Sequence, residues 1–301
     1  MDLSVRLAGI RLEHPLMNAA GTCRSIEEAQ KLILAPTAAV MIGSITAKPR
    51  PGNSGEVFWP SPGFSLNSMG IPNPGADYYG QHLPEIIALA NQINKPVFVS
   101  VAGFSAPEYV YLTALAFSHG AALVELNLSC PNVWEAGQQE RIACFNPSYT
   151  AETLNAVERQ VGPRARVAVK LSPFSDPSML LTIAKIIGDS KLVKVVTTSN
   201  TFPNALCLDE QGKPRIATGD GLAGLAGAAL KPIALGQVKQ LQQLLPERIQ
   251  LVYVGGITQP QDILDGLKAG ATAVQIATDY LVRGERAFVS LLEGLVSLSP
   301  D

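Results

Sequence analysis

Eight short, apolar, β-branched runs are spread along the 301 residues, and each gives way to a longer segment of helical period. They are Pro15–Ala20, Ala38–Ser44, Pro96–Gly103, Ala122–Ser129, Arg166–Ser172, Leu192–Ser199, Gln250–Gly256 and Ala273–Asp279. Runs apolar on both faces are what parallel strands need when helices cover them, and patterns such as PEYVYLTALAFSHG and QPQDILDGLKAG close on Gly as helices do. Eight strand-then-helix units predict a (β/α)₈ barrel in one domain over residues 1–301, with a doubly wound open sheet as the alternative. The opening LSVRLAGIRL predicts a hairpin under the barrel. Parallel strands bring all βα loops to one face, so chemistry is expected just after each run. Two connections exceed the usual βα loop and read as lids: Ile45 to about Tyr79, and Thr201 to about Leu225 with a hairpin around Gly212. A shorter lid candidate, PNVWEAGQQERIACFNP, follows the fourth run.

With 23 basic and 25 acidic residues the formal charge is −2, which offers no electrostatic footprint for nucleic acid or anionic lipid and favours a small-molecule partner. Asp2, Arg6 and Arg11 interrupt the apolar N-terminus, and no later run has the length of a membrane span, so a soluble, cytoplasmic protein is expected. Cys23, Cys130, Cys144 and Cys207 form no C-x-x-C pair, and His14, His82 and His119 have no ligand spacing. No metal site is expected.

The fourth run ends N-L-S-C-P-N, Asn127 to Asn132. Cys130 taken alone reads as a small buried hydrophobe. At a barrel mouth, between two Asn amides, its thiol is instead a candidate general base. The fifth run places Lys170 among apolar residues, where an ammonium is costly unless it meets an anion or an electron-rich group. Asn200 and Thr201 end the sixth run as hydrogen-bonding groups, or equally as turn formers. Gly221–Gly227 leads toward the next helix, and the seventh and eighth runs end V-G-G-I and I-A-T-D. Glycines let backbone N–H groups approach a phosphate, so Gly227, Gly255, Gly256, Ala277 and Thr278 form a candidate phosphate site.

Taken together, M-N-A-A-G-T, S-L-N-S-M-G-I-P-N-P-G, N-L-S-C-P-N, V-K-L-S and the V-G-G-I/Q-I-A-T pair resemble the soluble, class 1 dihydroorotate dehydrogenases, from about Leu3 to Leu295. The resemblance implies an FMN-dependent barrel that oxidises dihydroorotate to orotate in pyrimidine synthesis, hydride leaving C6 while Cys130 removes a proton from C5. It implies that Ala19, Ala20, Gly21, Ser44, Asn127 and Lys170 hold the flavin, with Lys170 near its N1–O2 edge as a catalytic cation. Asn67, Met69, Gly70, Ile71, Asn132, Asn200 and Thr201 would bind the pyrimidine, the Met69–Ile71 run offering backbone N–H groups to its carboxylate. It also suggests a homodimer, and an NAD route would need a separate iron–sulfur flavoprotein subunit; fumarate is the other acceptor. The chain departs from the family at the end of the second strand, where Gly43 replaces a lysine that reaches flavin and substrate; Lys48 and Arg50 are the nearest cations in sequence. Other readings are a flavin-dependent reductase of an uncharged dihydropyrimidine or small enone, resembling the pyrimidine-binding barrel of dihydropyrimidine dehydrogenase, and a catalytically silent barrel acting as a binding subunit.

Overall fold

A computed structural model describes residues 2–135 and 137–298; Met1, Ala136 of the short lid candidate and the last three residues of the expected domain lie outside the described residues. All eight runs contain a barrel strand: β1 Leu16–Asn18, β2 Val40–Ile45, β3 Val97–Val101, β4 Leu123–Asn127, β5 Val167–Lys170, β6 Val193–Thr197, β7 Gln250–Val254 and β8 Ala273–Ile276. Their order is β1-β8-β7-β6-β5-β4-β3-β2, with every ladder parallel. That is the (β/α)₈ barrel, and it excludes the open doubly wound sheet. Several strands are shorter than their runs, because residues such as Ala19, Ala20, Thr278 and Asp279 already belong to loops or the next helix.

The seam between β1 and β2 is closed by a side chain. Asn18 donates through Nδ2 to the Met41 carbonyl at 2.8 Å and accepts from the Met41 N–H at 2.9 Å, copying the two bonds of a strand neighbour. Ala38 N–H to the Leu16 carbonyl at 3.0 Å continues the closure below it. Inside, Met17, Met41, Phe98, Leu123, Ala168, Val195, Val252 and Ala273 fill the bottom of the barrel, and the expected hairpin (Val5–Leu7 with Ile10–Leu12) plugs it with Leu7 and Leu12. This apolar packing puts the rigid, dry end of the barrel opposite the mouth.

Helices α1 Ile26–Leu34, α2 Ala76–Asn91, α3 Ala106–Ser118, α4 Pro147–Val161, α5 Pro177–Asp189, α6 Lys231–Leu244, α7 Pro260–Ala269, α8 Thr278–Arg283 and α9 Arg286–Leu298 surround the strands. Several begin at side-chain caps, Ser25, Ser105, Asn146 and Asp176, each accepting from an N–H of the first turn. No helix among the described residues is long and apolar enough to cross a membrane.

The two long lids are not separate. Phe58–Ser61 and Phe64–Asn67 from the first join Phe202–Ala205 and Ala223–Ala226 from the second in one four-stranded antiparallel sheet across the mouth. The Gly221–Gly227 segment, read as leading toward the next helix, therefore supplies a strand, Ala223–Ala226, before it reaches Gly227. The hairpin around Gly212 is present, with Gly212 N–H bonding the Asp209 carbonyl at 3.0 Å.

Candidate active site

One cavity opens at the C-terminal ends of the strands, beneath the lid sheet. Every sequence-predicted site residue lines it: Ala19, Ala20, Gly21, Ser44, Asn67, Met69, Gly70, Ile71, Asn127, Cys130, Asn132, Lys170, Asn200, Thr201, Gly227, Gly255, Gly256, Ala277 and Thr278. Reasoning from motifs missed Asn53, Arg24, Phe58 and Gln275. Gln275 stands in Q-I-A-T-D, where only Ala277 and Thr278 carry the reading, and Asn53 lies in the first long connection, outside the S-L-N-S-M-G-I-P-N-P-G motif.

Lys170 ends β5 and points into the barrel, 4% exposed, and it forms no ion pair among the described residues. A buried ammonium in no ion pair needs a nearby anion or electron-rich group, and Lys170 lines the cavity, which can hold one. Next to it runs a polar chain. Asn127 donates to Ser44 Oγ at 2.8 Å, Ser44 and Ser100 share a bond of 2.9 Å, and Asn127 Oδ1 accepts from Ser129 Oγ at 2.7 Å. Asn200 then donates to Ser129 Oγ at 2.9 Å, so the ends of β2, β3, β4 and β6 are held in one network.

Cys130 follows β4, partly open to the cavity. Burial pushes its thiol up from the ordinary value, while the Asn132 backbone N–H and the charges of Arg50 and Lys170 pull the other way. The result is a thiol that burial holds toward its protonated form, with two cations that favour the thiolate.

Three asparagines bind the lids to each other. Asn53 donates to the Ser68 carbonyl at 2.8 Å and the Asn132 carbonyl at 3.1 Å; Asn132 donates to the Asn67 carbonyl at 2.9 Å; Asn67 donates to the Gly224 carbonyl at 3.3 Å. Over the cavity, Gly70 (φ +74°) and Ile71 (φ +58°) are both left-handed, an uncommon conformation for a β-branched residue. The N–H groups of Met69, Gly70 and Ile71 have no protein acceptor among the described residues. Thr201 Oγ1 is buried without a partner.

At the opposite end, Gly255 (φ +121°) and Gly256 (φ +80°) leave β7. A Cβ at Gly256 would stand 2.5 Å from Lys231 N, and one at Gly227 2.9 Å from Phe64 Cα, so only glycine permits these approaches. The N–H groups of Gly255, Gly256 and Ala277 find no protein acceptor among the described residues. Gln275, whose Oε1 is buried and unpartnered, lies between the two ends. Free donors at one end, an unpaired ammonium in the middle and orphaned polar atoms between them fit a phosphorylated, polar heterocycle such as FMN. Among the described residues no cluster of His, Cys, Asp or Glu could hold a metal.

Gly43 has φ +100°, and a Cβ there would collide with the Ser100 carbonyl oxygen and stand 2.7 Å from Ile45 N. Lys48 is exposed and outside the cavity lining. Arg50 is also outside that lining, but its Nε donates to the Gly70 carbonyl at 3.2 Å, and its guanidinium lies 4.7 Å over the Phe104 ring.

A family profile described as dihydroorotate dehydrogenase matches residues 2–298. The chain belongs to the dihydroorotate dehydrogenase family. Within it, the chain is 36% identical over 278 residues to the catalytic subunit of dihydroorotate dehydrogenase B (NAD(+)) of Methanopyrus kandleri, covering 91% of this chain and 84% of that one. It is 32% identical over 299 residues to the probable dihydroorotate dehydrogenase A (fumarate) of Enterococcus faecalis, covering 98% and 93%. The fold matches the dihydroorotate dehydrogenase of Eimeria tenella, solved with ferulenol, at a TM-score of 0.81 and 18% identity over 99% of this chain and 84% of that one.

Proposed function

We propose that this chain oxidises dihydroorotate to orotate in pyrimidine biosynthesis as an FMN-dependent dehydrogenase. The observation that carries the reading is the meeting, in one cavity, of the Cys130 thiol with the unpaired Lys170 ammonium. Both named relatives and the family profile support the substrate. The uncharged-pyrimidine and silent-subunit readings draw no such support.

Gly227, Gly255, Gly256, Ala277 and Thr278 would hold the FMN phosphate; Ala19, Ala20, Gly21, Ser44, Asn127 and Lys170 would hold the ring. When bound, FMN supplies the acceptor for the hydride that leaves substrate C6. Lys170 places a positive charge where reduction adds electrons, and a dry barrel interior strengthens that effect. Asn67, Asn132, Asn200 and Thr201 orient the pyrimidine by neutral hydrogen bonds. The Met69–Ile71 N–H groups donate to the carboxylate, as a run of free backbone donors does. Cys130 Sγ takes the proton from C5, and the surrounding lid excludes water from the carbanion-like transition state.

The relatives divide between NAD and fumarate names, and the chain has no C-x-x-C pair of its own, so an NAD route would run through a second, electron-transferring subunit. A cytoplasmic homodimer belongs to the same reading, on the resemblance to the soluble class. The decisive experiment is anaerobic mixing of FMN-loaded protein with dihydroorotate and, separately, dihydrouracil. Bleaching of the flavin by dihydroorotate is expected; bleaching by dihydrouracil alone would overturn the substrate.

A further inference from the structure

The barrel interior contains a second charged residue that the proposed chemistry leaves unused. Glu125 on β4 is 0% exposed and faces inward. Thr197 Oγ1 on β6 donates to its Oε2 at 2.6 Å, and its Oε1 has no partner. That bond reaches from β4 to β6 past the intervening strand β5. Ala168 is the β5 residue in register with Glu125, and its small side chain leaves room for the crossing. Lys170 is the next inward residue of β5, in register with Asn127 on one side and Thr197 on the other. The Glu125 backbone therefore stands one strand over and two residues below that of Lys170, about 4.8 Å and about 6.6 Å away in sheet geometry, and its carboxyl group reaches across β5 to Thr197, the residue in register with Lys170. A buried charge is costly unless an opposite charge compensates it, and neither residue forms an ion pair within 4 Å among the described residues.

We infer that Glu125 is a positioning residue: with Thr197 it forms a shelf beneath Lys170, is the counter-charge of that ammonium, and sets how strongly Lys170 stabilises reduced flavin. The inference rests on the cavity being an FMN site. Glu125 touches neither flavin nor substrate; it acts through Lys170. The carboxylate offsets part of the lysine's charge and so holds the flavin potential lower than Lys170 alone would. Thr197 holds one oxygen in a hydrogen bond, which limits that offset.

The test is the two-electron midpoint potential of the FMN-loaded protein, measured by anaerobic titration against reference dyes. Glu125→Gln keeps the shape and an acceptor for Thr197 but removes the charge. The expected result is about a tenfold shift of the reduction equilibrium toward reduced flavin, about +30 mV for two electrons. In a Lys170→Met background the same substitution should shift the potential markedly less, because the two effects are coupled. Thr197→Val frees the second oxygen and should lower the potential; this variant decides the matter if Glu125→Gln does not fold with flavin. An unchanged potential in the folded variants, or equal shifts with and without Lys170, overturns the inference. Failure of the parent protein to bind FMN overturns both this inference and the cofactor assignment, whereas an unmoved potential overturns this inference alone.

Discussion

Arg50 is the residue whose removal tests substrate recognition most directly. The lysine that the family carries at the end of the second strand is Gly43 here, and a dihydroorotate carboxylate still needs positive charge. Arg50 is fixed beside the Met69–Ile71 donors by its bond to the Gly70 carbonyl at 3.2 Å and by the Phe104 ring. Its two terminal nitrogens have no protein acceptor among the described residues, which leaves them for an anion. A hydrogen bond between charged groups contributes about 1.5–3 kcal/mol, so Arg50→Met should weaken dihydroorotate binding roughly ten- to hundredfold or slightly more. A second consequence is independent of binding. Arg50 is one of two cations that offset the upward push on the Cys130 thiol, so its loss raises that thiol further. The base works as thiolate, and the rate of flavin reduction climbs as pH rises through its pKa; in the variant this limb should move to higher pH. Stopped-flow flavin reduction over a grid of pH and dihydroorotate concentration reads both effects. Lys48→Met, at an exposed position, should change neither. An Arg50→Met protein with an unchanged KM and an unmoved limb would refute the reasoning.

Cys130→Ala should keep its flavin but reduce it about 10²–10⁴-fold more slowly, while Cys130→Ser should retain part of the rate with its pH limb displaced upward, both read in the same anaerobic reaction. Gly43→Lys, the direct attempt to restore the missing cation, should lower thermal stability by about 2–5 kcal/mol, the sum of a left-handed penalty and overpacking against Ser100; a melting temperature equal to the parent's would contradict it. Gly256→Ala drives a methyl group into Lys231 and should weaken FMN binding more than tenfold, measured by quenching of flavin fluorescence, with equal affinity as the contrary result.

The barrel was legible because parallel strands are apolar on both faces, a pattern that survives even where β1 is only three residues long. The lid sheet was not. Its strands are four residues each and joined across Leu66 and Leu225, far apart in sequence, so neither periodicity nor a turn signal announces the pairing. The site residues were legible where glycine or an isolated polar group broke an apolar run, as at Gly255 and Lys170. Asn53 escaped because an asparagine in P-R-P-G-N is indistinguishable from a turn former until Ser68 and Asn132 are brought to it. Glu125 escaped for a different reason: it carries the same signal as Lys170, a charge inside an apolar strand, but its fourth-run neighbours N-L-S-C-P-N drew attention to the loop instead.

Gly43 is also more than a lost lysine. Its left-handed backbone lets β2 turn at the mouth, with its carbonyl accepting from Gly21 N–H at 2.5 Å and its N–H donating to the Cys23 carbonyl at 2.8 Å. Those bonds tie the loop after β1 to β2 just above the Asn18 seam, where no strand ladder does the work. A side chain at 43 and this local packing exclude one another, because the Cβ would meet the Ser100 carbonyl of β3. Positive charge for an anionic substrate must then come from a part of the mouth that is free to carry a long side chain. The lid segment satisfies that condition: Arg50 pairs its backbone with Asn73 in both directions, at 2.9 Å each, while its side chain reaches Gly70. The same carbonyl that holds the guanidinium belongs to the Met69–Ile71 run, which lines the cavity and whose N–H groups have no protein acceptor among the described residues, so the proposed carboxylate recognition would depend on the order of the lid.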